Sequence, residues 1–268
     1  MTGDLQREYA YDNARAAQGA RLRTLEAIFD AGTIAELEAR GVGGGWRCLE
    51  VGAGGGSIAL WLADRVAPDG AVLATDLDTT VLAGLSHPAL EVRVHDLLED
   101  ELPAGAFDLV HARMLLAWLP DRRAALARLI EALAPGGWLL VEELDFASAV
   151  PDPRMGPERA ERFERMVAAH HAVISERHGF DPHYARRLAG DVADAGLAEG
   201  GCRGRASMWR TGEPGGDIWR MSFEQLREGV LDMGLMDAAE ADAAIALCTD
   251  PRFSTLSPVM MAAWGRRA

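Results

Sequence analysis

CLEVGAGGGSIALWLADRV (residues 48–66) joins a β-rich apolar run, a glycine loop and a stretch with apolar residues at helical spacing. A glycine loop that leaves a strand and opens a helix brings backbone N–H groups close to a ligand and aims a helix N-terminus at negative charge. Loops for dinucleotides prefer G-x-G-x-x-G, whose last glycine lets helix and strand pack closely. Here the glycines are Gly52, Gly54 and Gly56, and Ser57 takes the place of that last glycine. Glu50 stands two residues ahead of Gly52. A loop built only for pyrophosphate gains nothing from an acid there, whereas a ligand with an ammonium group would.

Outward from this stretch, short β-rich runs alternate with helical ones. WRCLEV (46–51), AVLATD (71–76), LEVRVH (90–95), FDLVHA (107–112) and WLLVEEL (138–144) read as strands. SIALWLADRV, TTVLAGL and RAALARLIEAL lie between them and read as helices. Such alternation predicts a parallel sheet covered on both faces. APGG (134–137) ends a helix and turns into the fifth strand. A helix precedes the first strand, with Leu22, Leu25, Ile28 and Phe29 on one face. After the fifth strand come an amphipathic helix over 157–178 and a second helix near 183–196. LAEGGCRGRASMW and FSTLSPVMMAAWGRR then read as an antiparallel edge pair. Between them, Ser222 with Gln225 and Asp237 with Glu240 read as capping boxes that open two helices. The expected fold is a doubly wound, seven-stranded, mostly parallel α/β sheet with helical additions. It forms one domain over 1–268, with an N-terminal helical segment (1–45), a ligand-binding core (46–145) and helical insertions at 150–190 and 210–254.

A net charge of −14 disfavours nucleic acid or an anionic membrane as partner, because counterion release needs clustered Lys and Arg. Three scattered cysteines argue against a disulfide framework and fit a reducing cytoplasm. The polar, acidic N-terminal stretch does not read as a signal peptide. No apolar run approaches the roughly 20 residues a membrane span requires.

The glycine stretch resembles motif I of the class I S-adenosylmethionine (SAM)-dependent methyltransferases. SAM carries an ammonium, a carboxylate, a sulfonium and a ribose diol, an inventory that suits Glu50 and the loop. The likeness covers nearly the whole chain, and the tail is similar to that of a group of small actinobacterial methyltransferases with helical lid insertions. It implies that Gly52, Ala53, Gly54 and Gly56 cradle the cofactor and that Asp76 of LATDLD, followed by Leu77, accepts from both ribose hydroxyls. Asp96 and Leu97 of VRVHDLLED would meet the adenine, and Ala112 and Arg113 of FDLVHARMLLAWLPD the methionine part. Tyr9 and Tyr11 lie where relatives fold a segment over the cofactor, with Tyr11 as the cofactor contact, or they are surface aromatics.

Methyl transfer from a sulfonium is an in-line displacement that needs alignment first and a base only for a protonated acceptor. His170 shares a helical face with Phe163, Val167 and Ile174, either as a general base over the acceptor or as a hydrogen-bonded core histidine. His111 and Arg113 are the other catalytic candidates, although Arg113 could equally serve packing or pairing. Relatives often carry a histidine where this chain has Trp118. Glu142, Glu143 and Asp145 read as solvated acids at a strand end, and no cluster has metal-ligand spacing. Met221, Met233 and Met236 read either as an adaptable acceptor lining or as helix core. The expected function is methylation of a small-molecule acceptor, at oxygen first, then nitrogen or carbon, in specialised metabolism. S-adenosylhomocysteine (SAH) would be the product. The protein would be cytoplasmic, a monomer or homodimer, with the insertions acting as a lid. The alternatives are a non-catalytic SAM-binding protein, a protein or RNA methyltransferase, and a nicotinamide-dependent oxidoreductase. Ser57 and Glu50 speak against the last of these.

Overall fold

The computed structural model describes residues 15–268, so Tyr9 and Tyr11 lie outside the described residues. The chain runs α1 (Arg15–Ala39), β1 (Arg47–Val51), α2 (Ser57–Val66), β2 (Ala71–Asp76), β3 (Leu90–Val94), β4 (Phe107–Arg113), α3 (Arg122–Ala132) and β5 (Leu133–Asp145). It continues through β6 (Val150–Pro151), α4 (Pro157–His178), α5 (Ala185–Asp194), β7 (Ala198–Arg205) and β8 (Met208–Arg210). The last elements are α6 (Pro214–Asp232), α7 (Ala238–Leu247), β9 (Ser254–Leu256) and β10 (Val259–Arg266). These residues pack as two compact units whose boundary at Leu25 and Glu26 falls inside α1.

The first unit, Glu26–Ser148 with His183–Ala206 and Pro258–Ala268, holds a seven-stranded sheet of order β3-β2-β1-β4-β5-β10-β7. Its first five strands are parallel, and β10 runs antiparallel to both β5 and β7. This is the expected doubly wound sheet with its antiparallel edge pair. The apolar strands are buried because helices cover them: Cys48, Leu109, Leu140 and Ala262 pack with Ile58 and Leu62 of α2 and Leu37 of α1. Strand order reverses between β1 and β4, which opens a crevice at the carboxyl ends of those strands.

The second unit takes in the described residues up to Leu25, Ala149–Pro182 and Ser207–Ser257. Its core is aromatic. Phe163 of α4 meets Trp219 edge-on at 5.3 Å and Phe253 at 5.7 Å, and Trp219 stacks on Phe223 at 5.4 Å. The start of α6 lies so close to Trp209 that a Cβ on Gly215 would fall 2.1 Å from the indole.

Several local expectations need correction. TTVLAGL forms only a short 3-10 turn at Val81–Gly84, because β-branched threonines and an early glycine leave too few residues to nucleate a helix. Ser222 does not open a helix. It lies in the interior of α6, which starts at Pro214, and its hydroxyl donates to the Ile218 carbonyl at 2.7 Å. Asp237 does cap α7, accepting from the Glu240 amide at 2.8 Å. The two terminal strand stretches each divide: β7 and β10 stay at the edge of the large sheet, while β8 and β9 join β6 in a separate three-stranded sheet.

Candidate functional site

At the carboxyl end of β1 the chain turns through Gly52, Gly54 and Gly56 with φ of 70°, 56° and 85°, a region that side chains other than glycine rarely enter. The turn is tied to β2. The amides of Gly52 and Ala53 donate to the Thr75 carbonyl at 2.8 and 3.0 Å, and that of Gly54 donates to Asp76 Oδ2 at 2.9 Å. Burial raises the Asp76 carboxyl above its ordinary value, against the pull of the amides that donate to it. Leu77, next along, is half exposed. Glu26 of α1 lies beside Ser57 at the start of α2, and burial, with Asp30 nearby, raises its carboxyl above the ordinary value. Its carboxylate comes so close to the turn that a Cβ on Gly55 would sit 2.1 Å from Oε1.

Below the loop lies a buried charge network. Glu50 and His111 are register partners on β1 and β4, and His111 Nδ1 lies 2.6 Å from Glu50 Oε2. His111 Nε2 lies 3.4 Å from Glu142 Oε2 on β5, so the ring bridges carboxylates from two neighbouring strands. All three side chains are nearly inaccessible to water. Burial alone would push the His111 ring down, but Glu50 and Glu142 carry it up to about 9, so it is an imidazolium at neutral pH. Burial raises Glu142, yet His111, Thr33 and Arg205 hold it down at about 2. Thr33 donates to Glu142 Oε2 at 2.5 Å, Arg205 pairs with Glu142, and Arg205 also reaches Glu36 at 2.9 Å.

A family model described as a methyltransferase domain matches residues 6–198, most of the chain. The chain belongs to the class I SAM-dependent methyltransferase family. The methyltransferase is 34% identical over 144 residues to a methyltransferase of Strobilurus tenacellus, covering 54% of this chain and 50% of that one. It is 32% identical to a nocamycin O-methyltransferase of Saccharothrix syringae (57% of this chain, 58% of the other). To a trans-aconitate 2-methyltransferase of Variovorax paradoxus it is 33% identical (46% and 44%). The chain thus spans about half the length of the curated relatives it matches. In fold it is similar to a Haemonchus contortus phosphoethanolamine N-methyltransferase crystallised with phosphomonomethylethanolamine and SAH. That match has a TM-score of 0.56 at 16% identity, over 93% of this chain and 57% of the other.

The structure brings together Glu50, the glycines, Asp76, His111, Ala112 and Arg113 within one unit of the methyltransferase. Ala112 is fully buried opposite Val51. Arg113 donates to Asp30 and Thr33 of α1, both at 3.0 Å. Asp96 Oδ1 accepts from the Leu98 amide at 2.8 Å, and the carbonyl of buried Leu97 accepts from Arg128. His170 belongs to the other unit, where it is buried on α4 and meets the ring of Phe223 at 6.0 Å. Burial, with His171 and Arg21 beside it, holds His170 well below the usual histidine range.

The acids of EELD are not solvated. Glu142 and Glu143 are 0% and 1% exposed, and Asp145 is buried beside Arg186. Because β5 is covered on both faces, consecutive residues of one strand are both interior. Sequence reasoning also missed Glu26, Asp30 and Thr33 of α1. Their spacing of four and three, a polar stripe on one helical face, was the available signal.

Proposed function

We propose that this methyltransferase moves a methyl group from SAM to a small organic acceptor, at oxygen first and then nitrogen or carbon, in specialised metabolism. The observation that carries the reading is the left-handed glycine turn whose Gly54 amide is bonded to Asp76. That arrangement leaves an acid at the carboxyl end of β2 to accept from a ribose diol, with exposed Leu77 beside it as apolar surface for a base. Backbone groups of Gly52, Ala53, Gly54, Gly56 and Ala112 would line the amino-acid part, and Asp96 and Leu97 the adenine. Bound SAM supplies an electrophilic methyl on a sulfonium, so the leaving group needs no proton. The likeness to a nocamycin O-methyltransferase and a trans-aconitate 2-methyltransferase supports a small acceptor, and the first of the two supports oxygen as the reacting atom.

In this reading Glu50 and His111 act from beneath the loop. His111 already holds its proton between two carboxylates and is no proton acceptor at neutral pH. Arg113 is held by Asp30. His170, kept neutral by burial, is the residue to test as general base. The His170→Gln variant is expected to bind SAH as the wild type does and to slow turnover ~100-fold on an acceptor found by screening carboxylic acids and phenols. Undiminished turnover would remove His170 from the mechanism.

Titration calorimetry with SAM, SAH and NADH tests the function itself. Micromolar binding of the first two and none of NADH is expected. Binding of NADH alone would overturn the reading.

A further inference from the structure

We infer that Glu143 of β5 is a positioning residue for the cofactor loop, gathering the turn after β4 so that Leu115 seats against Gly52. The inference rests on the reading of that loop as the SAM site. One oxygen of Glu143, Oε1, accepts from three consecutive amides, those of Leu115, Leu116 and Ala117, at 3.0, 2.6 and 3.4 Å. The carboxylate thus fills a concave nest of N–H groups. The turn enters through Met114, whose φ of 54° is left-handed for a residue with a side chain. Such a conformation persists only where its surroundings over-determine it. Here the Met114 amide donates to the Glu142 carbonyl at 2.7 Å, and Glu143 takes the next three amides.

Leu115 carries this to the loop. A Cβ on Gly52 would lie 3.3 Å from Leu115 Cδ1, so the leucine covers the first glycine of the turn. If the three amides let go, Leu115 loses its seat and Gly52 its backing. The binding-competent fraction falls, and the apparent affinity for cofactor falls in proportion.

The charge on Glu143 matters because a carboxylate accepts more strongly than a neutral carboxyl. Burial pushes Glu143 up, and the three amides and Arg122 pull it back, to about 7. The charged and titratable groups facing it are Arg122 at the start of α3 and Tyr184 just before α5, and Asp191 of α5 acts on Tyr184 in turn. Asp145 lies two residues along the same face of β5 and is paired with Arg186. His111 titrates near 9, well above this range.

The test is the affinity of wild type and Glu143→Gln for SAH, by calorimetry, between about pH 6 and about pH 8. Wild-type affinity is expected to rise several-fold as Glu143 ionises, whereas Glu143→Gln binds ~10-fold more weakly and shows no such rise. A residue that only supports the fold would shift melting temperature and leave this pH profile unchanged. The wild-type profile needs no variant, so it decides even if Glu143→Gln folds poorly. A flat wild-type profile, or a variant that binds like wild type throughout, overturns the inference alone. No SAH binding by wild type overturns the cofactor reading and this inference with it.

Discussion

Replacing His111 with leucine is expected to destabilise the protein by about 3–5 kcal/mol, because it leaves the buried Glu50 carboxylate without its charged partner and leaves Glu142 with only Thr33 and Arg205. Leucine fills much of the ring's volume, so the loss comes from charge rather than from a cavity. Urea unfolding near neutral pH measures it, and Glu50→Gln in the same background should restore part of the loss. A change under about 1 kcal/mol would show that the two acids do not depend on the ring, since exposed pairs contribute no more than that.

The pH dependence gives a second reading of the same residue. His111 is raised in the fold from 6.5 to about 9, so its contribution is complete below 6.5 and is lost as pH rises through 9. Glu142 is lowered from 4.5 to about 2, so its contribution is complete above 4.5 and lost as pH falls through 2. Glu143 is raised from 4.5 to about 7, and its effect has already run its course below the alkaline range. Wild type should therefore lose stability between neutral pH and about 9, and His111→Leu should lack that alkaline decline.

Asp76→Ala is expected to weaken SAH binding by ~100-fold or more, since in the proposed site it removes the acceptor for two ribose hydroxyls, and it frees the Gly54 amide it holds. Asp76→Asn keeps one acceptor oxygen and should fall between the two. The side chain lies at the end of an edge-proximal strand, so circular dichroism and melting temperature should stay close to wild type. An Asp76→Ala protein that is folded and binds SAH within about threefold of wild type would remove Asp76 from the site.

Much of this was legible in the chain itself. Apolar runs bounded by glycine and proline, alternating with helical spacing, are consequences of local geometry, so the parallel strands and two of the three helices expected between them could be read directly. The glycine turn and Asp76 were legible for the same reason: left-handed backbone demands glycine, and the acid lies at the end of the next strand. The Asp237 cap is another local bond between near neighbours. What only tertiary structure decided was the partner of each charged group. Glu50 pairs with His111, 61 residues away, because the two strands lie side by side. Glu142 and Glu143 look like surface acids until β5 is covered on both faces, where one meets His111 and the other a nest of amides. Ser222 shows the converse, a capping pattern overridden by a helix that had already begun at Pro214. Local sequence carries backbone preference and periodicity, but burial and charge pairing depend on which distant strands become neighbours, and that is settled only when the sheet closes.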